Sequence, residues 1–215
     1  MRLVIAFLVL LSCLYAQNPP AKSAPAKPAA APPAAKPAET GMPKPAPEIE
    51  RLRTMLQGRW TTEEKHEPNA FVPQGGVGKG SESVRPGPGG LSIIAEYTSQ
   101  GPTGQFAGIG IFTWNAAQKV YELHWTDNTN PAMTMMTGKW EGDNLVFTGV
   151  DTMMGKKLYS RHMFTDIKPT GFTYVIDMGP AANQLKRALT VSYTRWDRNR
   201  EFRQRLEQMR GPTPQ

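Results

Sequence analysis

Gln105-Phe106-Ala107-Gly108-Ile109-Gly110-Ile111-Phe112-Thr113-Trp114, followed after a short break by Val120-Tyr121-Glu122-Leu123-His124-Trp125, is the stretch that decides the fold. Phe106, Gly108, Gly110, Phe112 and Trp114 recur at a period of two, and Tyr121, Leu123 and Trp125 repeat the pattern. Alternation of this kind marks half-buried strands, because successive side chains of an extended chain point to opposite faces. The break at Asn115 is too short for a crossover helix, so the two strands pair antiparallel.

The same period runs outward in both directions. Leu91, Ile93, Ala95 and Tyr97 share a face upstream. Downstream come Leu145 and Phe147, then Phe172, Tyr174, Ile176 and Met178, then Leu189, Val191 and Tyr193. Turn signals separate the runs, among them Gly87-Pro88-Gly89-Gly90, Gly101-Pro102-Thr103-Gly104, Asn130-Pro131, Gly142-Asp143-Asn144, Pro169-Thr170-Gly171 and Gly179-Pro180. About ten strands are predicted, near 59–67, 77–85, 91–99, 105–114, 119–128, 132–141, 144–152, 156–166, 171–178 and 187–196. With short connections throughout, they form an all-β, antiparallel up-and-down meander. An open sheet would leave two costly edges, so closure into a barrel is expected.

A short amphipathic helix precedes the first strand. Ile49, Leu52 and Leu56 lie on one side, Pro47 and Glu48 suit a first turn, and Gly58 stops it. After Trp196 the period turns helical again: Phe202, Leu206 and Met209 recur among Arg198, Arg200, Arg203, Arg205 and Arg210. Residues 198–215 are expected to form a short basic helix and tail, docked on the barrel wall or, alternatively, lying on an anionic membrane.

The first 47 residues have a different character. Leu3 to Leu11 is an unbroken apolar run behind Arg2, too short to span a bilayer, and Leu14-Tyr15-Ala16 ends in a small residue. Residues 1–16 are expected to be a signal peptide cleaved after Ala16, sending the protein to the periplasm or the exterior. Leu10-Leu11-Ser12-Cys13 offers an alternative, a lipobox that would anchor the chain through Cys13. Residues 17–47 hold ten of the twenty prolines and ten alanines, so they cannot bury a core and are expected to be a disordered tether. The barrel domain is expected over 48–197. Lysines in the tether are charges for solubility, or a peripheral contact with membrane or cell wall.

The formal net charge of +7 does not indicate nucleic-acid binding. Residues 1–47 carry five basic and one acidic residue, 48–197 carry fifteen of each, and 198–215 carry five and two. The folded part is neutral, whereas a nucleic-acid domain needs its positive footprint on a folded face. Cys13 is the sole cysteine, which excludes an internal disulfide and a catalytic thiol in the domain.

Motifs for chemistry are sparse. Gly75-Gly76-Val77-Gly78-Lys79-Gly80-Ser81 has Pro73 where a phosphate loop needs its first glycine, and Gly80 where it needs Ser or Thr. No Gly-x-Ser-x-Gly elbow exists, and Glu96, Asp127, Asp151, Asp166 and Asp177 have no spacing that pairs them. His66, His124 and His162 fall on three separate strands without a metal-ligand spacing. Alternation turns His124 to solvent and His162 inward, where it would hydrogen-bond in the core or, alternatively, face a haem. Met133, Met135, Met136, Met153 and Met154 are soft ligands that suit copper(I), or equally the lining of an apolar cavity. No cofactor and no metal site is assigned.

Gly58-Arg59-Trp60, entered from a short helix, resembles the Gly-x-Trp opening of lipocalins and related calycin barrels. A wider set follows it: Phe106 to Trp114, Lys119-Val120-Tyr121, Trp125-Thr126-Asp127-Asn128, Gly138, Gly149 and Tyr193-Thr194-Arg195. This order is similar to the bacterial family known as domain of unknown function 1579. Its members are regarded as calycin-like barrels. Trp114-Asn115 departs from the Tyr-Asp the family suggests, and the insert Met153–Lys157 is longer. The resemblance covers residues 48–196 and implies a fold, with Arg195 laid over Trp60 to join the barrel's ends. It implies no activity.

The function expected is the binding of a small, mostly apolar molecule inside the barrel, with Gly108 and Gly110 leaving space for it. Tyr97, Trp125, Asp127, Met135, His162 and Tyr174 are the candidate ligand-binding residues, and Asp127 is expected at the barrel mouth. No residue is assigned a catalytic role. An enzyme acting on a lipid-like substrate would need two inward carboxylates, or one beside His162. A structural or interaction protein of the envelope would have a filled interior.

Overall fold

The computed structural model describes residues 41–153 and 156–197. The segments expected to be signal peptide and C-terminal helix lie outside the described residues, as do the tether up to residue 40 and residues 154–155 of the insert.

One helix and ten strands follow in chain order: α1 (Pro47–Leu56), β1 (Gly58–His66), β2 (Gly76–Pro86), β3 (Ile93–Gly101), β4 (Gly104–Asn115) and β5 (Val120–Asp127), then β6 (Asn130–Glu141), β7 (Asn144–Met153), β8 (Lys156–Lys168), β9 (Gly171–Gly179) and β10 (Lys186–Arg195). Every strand pairs antiparallel with its neighbours in sequence, and β1 pairs with β10, so the meander closes into a barrel. Closure leaves no edge among these strands to template a foreign pairing.

In β1 the buried residues Trp60, Thr62 and Glu64 alternate with exposed ones, as the period of two requires. Ile93, Ala95 and Tyr97 do the same in β3. Leu91, assigned to that face by alternation, is 39 % exposed. The chain makes a 3-10 turn at Pro88–Gly90, with Gly89 at φ 61°, and β3 starts only at Ile93.

Helix α1 caps one end of the barrel. Pro47 sits at its first turn, where its missing N–H costs nothing, and Glu48 and Glu50 suit the positive helix N-terminus. Ile49, Leu52 and Leu56 are buried at the spacing of one helix face. The Tyr121 hydroxyl donates to the Glu48 carbonyl at 3.2 Å, and the Arg51 guanidinium lies 3.7 Å from the Trp140 ring centroid. Residues at the end of the expected tether take part as well: Ala46 packs against the core cluster just ahead of the helix.

Where β1 meets β10, Trp60 pairs with Arg195. The Arg195 guanidinium lies 4.2 Å from the Trp60 ring centroid, Nε donates to the Pro169 carbonyl at 2.7 Å, and NH1 donates to the Gln57 carbonyl at 3.0 Å. Trp60 is 1 % exposed and gives its indole N–H to the Leu56 carbonyl at 2.8 Å. The arginine thus ties together the end of α1, the β8–β9 turn and both closing strands.

Candidate functional site: a cavity inside the barrel

The interior is not filled. A cavity of about 290 Å³ runs from residues of the β3–β4 and β5–β6 turns, including Thr103 and Thr129, down to Leu56 of α1. This is the lower end of the roughly 300–1,000 Å³ typical of small-molecule sites. Its wall is mainly apolar and aromatic, with a few polar groups at set depths.

Alternation from Trp60 points Thr62, Glu64 and His66 inward on β1. The Tyr97 hydroxyl, from β3, donates to Glu64 Oε1 at 2.5 Å, and His66 Nε2 lies 2.9 Å from Glu64 Oε2. Thr62 Oγ1 is 3.1 Å from the same hydroxyl. Burial pushes the Glu64 pKa up, but the hydrogen bonds from Tyr97, His66 and Ser99 outweigh it and hold the carboxyl below its usual value. Burial, with the bond to Glu64, raises Tyr97. The glycine-rich stretch of β2 makes this network possible: a Cβ on Gly78 would run into Glu64, and one on Gly80 would lie 2.8 Å from Thr62 Oγ1.

Farther round the wall, His162 of β8 shares a 2.5 Å hydrogen bond between Nδ1 and the Tyr174 hydroxyl of β9. Burial holds the imidazole neutral by lowering its pKa to about 4, partly countered by Asp177, and burial raises Tyr174. At the turn end, Trp125 donates its indole N–H to Asp127 Oδ2 at 2.8 Å and stacks on Phe106 with ring centroids 6.3 Å apart. Asp127 Oδ1 accepts from the Thr129 backbone N–H, at 2.8 Å, and from the Asn130 backbone N–H, at 3.1 Å. Asp127 ends β5 and lines the cavity, but its oxygens are spent on the β5–β6 turn and on Trp125.

Of the six candidate ligand-binding residues, Tyr97, Trp125, Asp127, His162 and Tyr174 line this one cavity. Met135 does not: it is 56 % exposed on the outer wall, while Met136, 3 % exposed, faces in. The inward set of β6 includes Met136 and Gly138, because Gly138 leaves the room that the Phe147 ring occupies. Gly108 and Gly110 also act differently from expectation. The Trp125 ring lies against both, with Cε3 at 3.1 Å from where a Gly110 Cβ would stand, so they house an indole rather than empty space.

Glu82 of β2 was not singled out, although alternation from the buried Val84 marks it as inward. It lines the cavity, pairs across β1 with Trp60 and across β3 with Tyr97, and has no hydrogen-bond partner among the described residues. Burial raises its carboxyl to about 7. Four carboxylates, Glu64, Glu82, Asp127 and Asp151, thus line the cavity, and Glu64 pairs with Gly78, four residues along β2 from Glu82. At about 3.3 Å per residue the Glu64 and Glu82 backbones are roughly 13 Å apart, so the two stand at different depths. No group of three or more His, Cys, Asp or Glu suited to a metal ion occurs among the described residues.

The family model described as a protein of unknown function, DUF1579, matches residues 44–195. No curated protein matches the chain. Among solved structures, Rv2717c from M. tuberculosis is similar at 13 % identity and a TM-score of 0.49, over 72 % of this chain and 100 % of that one. A second, titled EF1p2_mFAP2b bound to DFHBI, is similar at 14 % identity and a TM-score of 0.39, over 69 % and 99 %. With scores this low, the fold stands on the chain's own strand pairing.

Proposed function

The chain belongs to the DUF1579 family of unknown function, and from that premise we propose that its barrel binds a small, mostly apolar molecule in the interior. The observation that carries this reading is the cavity itself, enclosed by strands on all sides and floored by Leu56. An apolar hollow with a few fixed polar groups is the form small-molecule sites take. A barrel serving only as an envelope scaffold would have no reason to keep such a hollow.

N-phenyl-1-naphthylamine, a neutral aromatic probe that brightens in apolar surroundings, tests it. Fluorescence should rise to saturation at one site per chain. Ala95, 2 % exposed on the cavity wall, is the place to fill the hollow. Ala95→Leu should weaken the probe about tenfold or more while the barrel still melts cooperatively. A flat titration, together with a native mass spectrum showing no co-purified small molecule, would contradict the proposal.

We also infer export, supported by the apolar run Leu3–Leu11 and the small Ala16. The mature protein should begin at Gln17 by intact mass of the envelope fraction. A mass retaining Cys13 with acyl chains would establish the anchored form instead.

A further inference from the structure

Among the described residues, the acidic side chains of the cavity have no basic counterpart of lysine or arginine. Glu64, Glu82, Asp127 and Asp151 line it, and no lysine or arginine does among the described residues. Three of the carboxylates are engaged: Glu64 with Tyr97 and His66, Asp127 with Trp125 and its own turn, and Asp151 with the Thr134 hydroxyl at 2.7 Å. Glu82 alone has no hydrogen-bond partner among the described residues, and it is the deep one, level with Trp60 near the end that α1 closes. Aromatic rings fill much of the wall around it, and ring faces attract cations. An anionic ligand would meet four carboxylates and the ring faces, which oppose it, with no lysine or arginine among the described residues to offset them.

We propose that the molecule held in the cavity carries a protonated amine, which its apolar body delivers to the carboxylate of Glu82. The inference rests on the cavity-binding reading above and adds the chemical class of the ligand. An ammonium group would supply the donors Glu82 lacks and would offset a charge in the cavity that no described residue pairs. An alcohol of the same shape supplies one neutral donor, and a carboxylic acid brings a second negative charge.

The titratable groups that line the cavity with Glu82, besides Asp127 and Asp151, bear on the pH dependence. From β3, β9 and β10 they are Tyr97, Tyr174 and Tyr193, all held neutral by burial, which raises each. From β8 comes His162, kept neutral down to about pH 4. From β1 come Glu64 and His66, paired with each other. Ionisation of Glu82, near pH 7, is what turns the site on for a cation.

The test is calorimetric titration of the full mature protein with 1-naphthylmethylamine, 1-naphthylmethanol and 1-naphthaleneacetate. At pH 8 the amine should bind about tenfold or more tighter than the alcohol, the range of a charge-assisted hydrogen bond, and the carboxylate should bind weakest. The amine's advantage should vanish at pH 5.5, and in Glu82→Gln at either pH. It should survive at pH 8 in His66→Gln, which separates Glu82 from the imidazole near the mouth. If amine and alcohol bind alike at pH 8, the amine inference is overturned while the cavity reading stands. If none of the three binds and the neutral probe also fails, both fall.

Discussion

Trp60→Ala should lower the unfolding free energy of the barrel by about 3–5 kcal/mol, the range for deleting a large buried aromatic. The ring is 1 % exposed and meets Phe172 edge-on with centroids 4.9 Å apart and Tyr193 at 6.4 Å. Removing it also leaves the Leu56 carbonyl without its indole donor and the Arg195 guanidinium without the face it lies on. Arg195→Lys is the smaller companion change. An ammonium cannot stack flat on the indole or reach the Pro169 and Gln57 carbonyls together, and a loss of roughly 1–2 kcal/mol is expected. Urea unfolding followed by circular dichroism measures both, with the slope unchanged if the transition remains two-state. A Trp60→Ala barrel within about 1 kcal/mol of the parent would show that closure does not depend on this pair.

Glu82→Gln should stabilise the protein at pH 8, by an amount on the order of 3 kcal/mol. The folded-state pKa, about 7, lies above the ordinary 4.5 of an exposed glutamate. As pH rises from 4.5 to 7 the unfolded chain gives up this proton and the folded one resists, so stability falls across that window. Below pH 4 both states are protonated and the variant's gain should disappear. His162 works the other way. Its folded pKa, about 4, lies below the ordinary 6.5 of an exposed histidine, so its contribution to stability is lost as pH falls from 6.5 toward 4. The two slopes oppose each other between about pH 4.5 and 6.5, where the parent's dependence on these groups should be shallow. Glu82→Gln removes one slope and should expose the other, as stability that climbs with pH across that interval. Melting temperatures of parent and variant at pH 4, 6 and 8 decide it. A variant equal to the parent at pH 8 would mean that the carboxyl is not held in low-dielectric surroundings.

The strands were legible because alternation and turns are local properties. Predicted and observed boundaries differ by two residues at most, and β4 and β5 fall where the Phe106–Trp125 stretch places them. Which face of a strand points inward was legible only where large residues marked it. β1 and β2 carried the information through Trp60 and Val84, since counting by twos from either reaches Glu64 and Glu82. Charge misled that count, because a carboxylate on a strand ordinarily signals the wet face. Met135 failed for the converse reason: two methionines outweighed the glycine that belongs inside. Depth along the barrel axis, which separates the satisfied Asp127 at the mouth from the unpartnered Glu82 near the floor, depends on strand register and has no local signature.

Nine of the ten strand pairings join neighbours in the chain, and the tenth joins Trp60 to Arg195. The nine can form as successive hairpins while the polypeptide is being made, each at small loop-closure cost. The tenth cannot form until nearly the whole domain has left the ribosome. Until then β1 and the newest strand are bare edges, and the hollow between them is an open gutter lined with aromatic rings. A chain in that condition is exposed to aggregation in proportion to how long it waits. The last strand thus sets the moment at which the domain becomes safe, and a truncation just before Lys186, where β10 begins, would leave it permanently in the vulnerable state.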